Sequence, residues 1–396
     1  MKILIAATHF DIFSLEFGAQ HRIYNMAVQL AQKENEVIIL QPDRFKNEKA
    51  HFKCYNFREH KFSFLKSINL EYFPLLTDFN LSFIRNIIKI LKNEEIDIIQ
   101  VEYPWGIISA KILSKLLRKK TIIVYDSHDV EYLLIKQYFN NMLAKRSKYV
   151  KYLFFPGLLY VLIQEKIATY CADHTLAVST EDKEQFIQIY KINNEKITVI
   201  PSGLTLNHLK NTEDKKRLLN ELEISNNKIL AVFHGSFNHF PNKEAIELIE
   251  NYISPKLGNI QFLIIGTNVP KYEKDNIKSL GFVEDLNLYL DIADIAVVPV
   301  LSGGGTRIKI LDYISLGLPI VSTKKGIEGI PAKNYEDAII VDKVNDEFID
   351  AIRYLAKNEQ ERIIIGENAV KLAEKFNWSN IVEKLNALYT NLVERS

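Results

Sequence analysis

Between Ile295 and Gly329 the sequence reads IAVVPVLSGGGTRIKILDYISLGLPIVSTKKGIEG, and few folds accommodate such a stretch. An apolar run, Ile295 to Val300, is followed by the glycines Gly303, Gly304 and Gly305, and then by Ile308, Leu311 and Ile314 at helical spacing. Gly317 and Pro319 mark a helix end, and Ile320 to Thr323 form a second apolar run. The pattern predicts strand, glycine loop, helix, strand, which is the repeating unit of a parallel α/β sheet. Glycines let the backbone take positive φ, so successive amides can point at one anion, and a helix start adds further free N–H donors. Arg307 and Lys309 fall in the expected first turn, where the helix dipole disfavours cations. An anion such as a diphosphate would supply the compensating charge. Asp312, three residues past Lys309, shares its face and suits the hydroxyls of a ribose. A tight turn with solvated charges accounts for the glycines alone, but not for Arg, Lys and Asp at these offsets.

The rest of the chain narrows the class. Its 396 residues are enough for two domains of ordinary size. A net charge of +1 leaves no cationic field to meet a phosphate backbone, so no nucleic-acid partner is expected. Cys54 and Cys171 are far apart and make no metal-ligand pair, which fits a reduced, cytoplasmic setting. Met1 to Ala7 reads as a strand rather than a signal peptide. Tyr152 to Ile163 is apolar but is interrupted by Pro156 and Gly157 and is too short to span a bilayer. Lys145, Arg146, Lys148 and Lys151 precede it, so two readings stand: a buried helix with a solvated basic flank, which is the simpler, or peripheral contact with an anionic membrane.

Strands and helices alternate in both halves. The strand Lys2 to Ala7, a helix from Ala19 to Lys33 and the strand Val37 to Leu40 make a βαβ opening, with Gly18, Gln20, His21 and Arg22 at its ligand edge. A lone glycine there is no dinucleotide fingerprint. Gln41 to Asn80 shows no regular order. The strand Ile96 to Val101 runs into Glu102, and Thr121 to Tyr125 into Asp126, Ser127, His128 and Asp129. Polar groups at strand carboxyl ends are where open α/β sheets place function. His128 therefore either faces a substrate or bonds structurally to Asp126 or Asp129. A fresh start at Ile229 to Phe233, followed by His234, Gly235 and Ser236, opens the second half. The chain reads as α/β, with two doubly wound Rossmann-like domains, 1–205 and 206–375, facing across a cleft.

These residues resemble the GT-B glycosyltransferases of glycosyltransferase family 4. The pieces that carry the resemblance are HGSFNHFPNKEAI, GFVEDL, PVLSGGGTRIKILD, VYDSHDVE and TVIPSGL, with GAQHR and FNWSNIVEKL near the two ends. The resemblance implies that the C-terminal domain binds a nucleotide-sugar donor and the N-terminal domain a glycan or lipid-linked acceptor. Arg307 and Lys309, helped by Gly303, Gly304, Gly305 and Thr306, would stabilise the leaving diphosphate. Asp312 would replace the glutamate that holds the ribose, the backbone at Phe282 and Val283 would read the base, and Gly235 and Ser236 would line the donor site. His128 would contact the transferred sugar, and Gly18, His21, Arg22, Glu102 and Asp126 would lie on the acceptor side. Retention of configuration, no metal and no cofactor are implied, as is a C-terminal helix, 376–396, that crosses back onto the first domain. Cell-surface polysaccharide or glycoconjugate synthesis is the implied setting. The sequence departs from the family pattern at Gly304, where a glutamate is usual, and at Asn242-Lys243, where Arg-Lys is common. A sugar-nucleotide epimerase of the same architecture and a binding protein without transferase activity are the rival readings.

Overall fold

The computed structural model describes residues 1–9, 11–15, 18–43, 52–58, 80–143, 148–205, 212–225 and 228–395. The chain forms two compact units, one of Met1–Ser202 with Trp378–Ser396, the other of Gly203–Asn377. Among the described residues each unit holds one seven-stranded sheet.

In the first unit the strands are β1 (Lys2–Ala7), β2 (Glu36–Pro42), β3 (Lys53–Phe57), β4 (Ile98–Glu102), β5 (Ile122–Asp126), β6 (His174–Ala177) and β7 (Ile197–Val199). Their order is β3-β2-β1-β4-β5-β6-β7, and all pairs are parallel. Strand β1 shows why the sequence looks continuously apolar. Leu4 and Ala6 enter the core on one face, while Ile3, Ile5 and Ala7 enter that on the other. A sheet covered on both faces needs apolar residues at every position. The helix Trp378–Glu394 closes the second face, placing Trp378, Ile381, Val382, Leu385 and Tyr389 among Ile23, Met26 and Leu30 of the helix Gly18–Gln32.

The second unit contains β8 (Ile229–His234), β9 (Ile260–Ile265), β10 (Tyr272–Lys274), β11 (Ile277–Gly281), β12 (Ile295–Val298), β13 (Ile320–Thr323) and β14 (Ile339–Val341). The order is β10-β11-β9-β8-β12-β13-β14, parallel except for the β10–β11 hairpin. The expected strand, loop, helix and strand over 295–323 are present, with the helix at Ile308–Ser315. The α/β, doubly wound Rossmann-like character expected of both halves is therefore observed.

Several local readings differ. Lys53–Phe57 is a strand within the stretch read as irregular, and the helices Glu131–Leu143 and Thr212–Glu221 lie in segments to which no element was assigned. Pro156 does not end its helix, which runs through it from Lys148 to Cys171. The ring sits at an exposed position, so the carbonyl it leaves without a helical donor need not be buried. The expected domain boundary at 205/206 borders residues 206–211, which lie outside the described residues, as do 44–51 and 59–79 of the stretch Gln41 to Asn80, and Lys145 and Arg146.

Candidate active site

In the second unit the carboxyl ends of three neighbouring strands are glycines in close contact. The Gly235 amide, just past β8, donates to the Ile265 carbonyl at 2.9 Å, and the Gly266 amide donates to the Gly281 carbonyl at 2.8 Å. A Cβ on Gly266 would lie 2.0 Å from the Gly235 carbonyl oxygen, and one on Gly235 would lie 2.6 Å from the Asn242 side chain. Only bare backbone fits. Gly266→Ala is expected to destabilise this unit by about 1–3 kcal/mol, the usual range for overpacking, readable as a lowered melting temperature.

The glycine loop follows β12. Gly303 and Gly305 have φ of 101° and 67°, in the region that side chains avoid. Arg307 does not lie inside the helix but caps it, with φ −78° and ψ 93°. Its guanidinium turns back onto the loop, Nη1 donating to Gly304 O at 3.0 Å and Nη2 to Ser302 O at 3.1 Å. Nε donates to Lys325 O at 3.3 Å, and Glu328 stands 3.7 Å from Nη2. Arg307 thus holds the loop's shape, and a Cβ on Gly303 would meet Nη1 at 2.7 Å. Ser302 is anchored too, its hydroxyl donating to Glu244 at 2.9 Å. Thr306 is half-buried between the loop and the helix.

Lys309 is in the first turn, as expected. Its Nζ donates to Asn242 Oδ1 at 2.5 Å and lies 4.2 Å from the centre of the Phe233 ring. Asn242 in turn donates to the Ser236 carbonyl at 2.9 Å, tying the helix Phe240–Leu248 to the end of β8. Burial, then the Arg307 charge, pushes the Lys309 amine down to about 7, with Asp312 pulling the other way. An arriving diphosphate would raise that value again, so binding takes up a proton. Affinity is then full below about pH 7, where the amine is already charged, and falls as the pH rises to 9. Titration calorimetry across that range checks this, and Lys309→Arg, always charged, is expected to flatten the dependence.

Asp312 remains partly exposed, with Oδ2 3.3 Å from His234 Nε2. The His234 amide donates to the Tyr313 hydroxyl oxygen at 2.9 Å, and the two rings meet edge to face at 5.0 Å. The pair Asp312 and His234 therefore sits at the rim as a unit. Phe282, directly after Gly281, is 65% exposed, while Val283 packs on the core. Asn242, His234, Glu244 and Glu328 are the residues that motif reading passed over. Asn242 was legible only as a departure from the family pattern, and nothing in its spacing tied Glu328 to Arg307.

In the first unit a second cluster is formed at the ends of β4 and β5. His128 Nε2 lies 2.7 Å from Glu102 Oε2, so its partner is Glu102 and not Asp126 or Asp129. Tyr103, with φ 70°, stacks on the imidazole at 4.6 Å and 11°. Gln100 Nε2 donates to Glu102 at 2.6 Å and to Asp126 at 3.2 Å, and Gln100 Oε1 accepts from Tyr389 of the C-terminal helix at 2.6 Å. Arg22 donates to Asp126 and to the Ile200 carbonyl, both at 2.9 Å. Arg22, Glu102 and Asp126 are buried and face each other and His128, whereas His21 is exposed and Gly18, opening its helix, half-buried.

Burial pushes Glu102 up to about 7 against the pull of Arg22 and Gln100, and it lifts Asp126 as well. It drives His128 down to about 4, so the imidazole is neutral at neutral pH. Glu102 then decides which ring nitrogen carries the proton. The ligating atoms of Glu102, Asp126 and His128 lie within 4.8 Å of one another. Arg22 already faces Asp126 as its ion-pair partner, and the Gln100 amide donates to both carboxylates.

Residues 18–208 match the model of Glycosyltransferase Family 4, and residues 228–358 match that of Glycosyl transferases group 1. An uncharacterized glycosyltransferase of Methanocaldococcus jannaschii is 21% identical over 394 residues, 95% of each chain. The UDP-Gal:α-D-GlcNAc-diphosphoundecaprenol α-1,3-galactosyltransferase of Escherichia coli is 25% identical over 254 residues, 58% of this chain and 63% of that protein. HepE of Anabaena, crystallised with UDP, shares the fold at a TM-score of 0.70 and 14% identity, covering 99% of this chain and 100% of that one. Sucrose-phosphate synthase of Thermosynechococcus elongatus does so at 0.74 and 16%, covering 100% of each. With both halves matched and the fold shared along its length, the chain belongs to the GT-B glycosyltransferases, family 4 in its N-terminal region and group 1 in its C-terminal region.

Proposed function

We propose that this glycosyltransferase moves a hexose from a nucleotide sugar to a glycan or lipid-linked acceptor, with retention of configuration and without a resident metal. The observation that carries the reading is Lys309 held beside a glycine loop that Arg307 shapes. A glycosyl–phosphate bond breaks when the charge on the departing diphosphate is stabilised. Preorganised amides and cations do that work, which a divalent metal does in other transferases. Asp312, partly exposed with His234 Nε2 3.3 Å from its carboxylate, would hold the ribose hydroxyls. Phe282 offers an apolar face to the base. Neutral His128, oriented by Glu102, hydrogen-bonds the transferred sugar rather than acting as a strong base. The undecaprenyl-linked acceptor of the Escherichia coli relative supports a lipid-linked acceptor here, and cell-surface glycan synthesis on the cytoplasmic side of a membrane is the setting.

The test is a thermal-shift screen of UDP-, GDP- and ADP-sugars, since a ligand that binds the native state raises its apparent stability. The donor so found is then radiolabelled and incubated with and without lipid extract. Label transferred to a new product with the anomeric configuration kept is expected. Epimerised nucleotide sugar without transfer would contradict the proposal.

A further inference from the structure

We infer that an outer face of the first unit docks on an anionic lipid bilayer. The helix Lys148–Cys171 leaves Phe155, Leu159, Ile163, Ile167 and Tyr170 exposed, at 62, 43, 47, 40 and 65%. Successive spacings of four, four, four and three put them on one face, a stripe about 22 Å long at 1.5 Å per residue. The other side of the same helix buries Val161 and Ala168, so the apolar run expected to be core is apolar on both sides and only half covered. The neighbouring helix Ile107–Leu116 packs against it and leaves Ile112 and Leu116 exposed at 51 and 71%. Two helices in contact thus both leave large apolar side chains exposed, the kind of surface that marks an interaction site.

The charges around the patch choose the occupant. The exposed charged residues described on these two helices and on the turn at 117–120 are Lys115, Arg118, Lys120 and Lys166. All are basic, and among the described residues none of the four has an ion-pair partner, whereas Lys111 and Lys119 are neutralised by Asp173 and Glu95. A second copy meeting this face would set cation against cation. An anionic bilayer satisfies both the apolar stripe and the cations around it. The contact is peripheral. Among the described residues no helix is long and apolar enough to cross a membrane, and Glu165, on the inner side of the stripe helix, is held by the Tyr125 and Tyr190 hydroxyls. This inference goes beyond the transfer reaction and does not depend on it.

The experiment is flotation of the full chain with vesicles of phosphatidylglycerol and phosphatidylcholine, or of phosphatidylcholine alone. Binding is expected on the anionic vesicles only, weakened by high salt. The surface variants Leu159→Ser/Ile163→Ser and Lys115→Glu/Arg118→Glu should each cut the bound fraction about tenfold, with the melting temperature and the nucleotide-sugar thermal shift unchanged. No binding to anionic vesicles, equal binding to neutral ones, or binding that persists in either variant would overturn the inference. Self-association abolished by Leu159→Ser/Ile163→Ser, in a chain that ignores vesicles, would assign the face to a second copy instead.

Discussion

Lys309→Ala is expected to lower turnover at least about a hundredfold, the scale seen when one preorganised donor to a developing negative charge is removed. The effect should fall on kcat more than on KM, because the diphosphate's charge grows as the sugar leaves. In the proposed role the side chain serves the leaving group rather than stability. It lies over Phe233, it donates a hydrogen bond to Asn242, and burial with the Arg307 charge already weakens its hold on a proton. Removing it should therefore leave the melting temperature nearly unchanged. Arg307→Ala would be a poorer probe, since its guanidinium carries the Gly304 and Ser302 carbonyls and its loss would reshape the loop. Turnover near that of the wild type in Lys309→Ala would refute the role given to this amine.

Arg22→Ala is expected to cost about 3–5 kcal/mol of stability, because it leaves a buried carboxylate without its cation. The side chains of Arg22 and Asp126 are 1% and 0% exposed, so water cannot replace the lost partner. The Ile200 carbonyl also loses its donor. For a unit of this size the loss corresponds to a fall in melting temperature of roughly 10 °C. The double variant Arg22→Met/Asp126→Leu should recover part of it, since removing both charges leaves no unpaired ion. A single-variant loss below about 1 kcal/mol, the worth of an exposed pair, would show that the network does not depend on this contact.

The glycine loop with Lys309 and the Arg22 network differ in how legible they are in the sequence. The glycine loop could be read because local constraints fix it: positive φ at Gly303 and Gly305, a helix directly behind, and apolar runs on either side. Periodicity found the strands and helices of both sheets for the same reason. What it missed lacks a local signature. Lys53–Phe57 is a strand because β2 pairs with it, not because its residues alternate. Glu102 as the partner of His128, and Tyr389 as the partner of Gln100, join residues far apart in the chain that only the strand order brings together. Likewise, Arg307 looked like a free cation at a helix start, and only the fold shows it turned back onto its own loop. In the 152–163 run, Phe155, Leu159 and Ile163 are exposed while Val161 is buried, a split that composition does not reveal because a helix apolar on two sides has the same composition as a core helix.

The proposed transfer requires loop amides and Lys309 at the rim of the second sheet to receive the donor's diphosphate. A crystal structure with the bound nucleoside diphosphate tests it most directly. The predicted result is phosphate oxygens within hydrogen-bonding distance of Lys309 Nζ and of the amides around Gly303, Gly304 and Gly305. Phosphates bound elsewhere in the chain, with Lys309 still turned to Asn242, would contradict it.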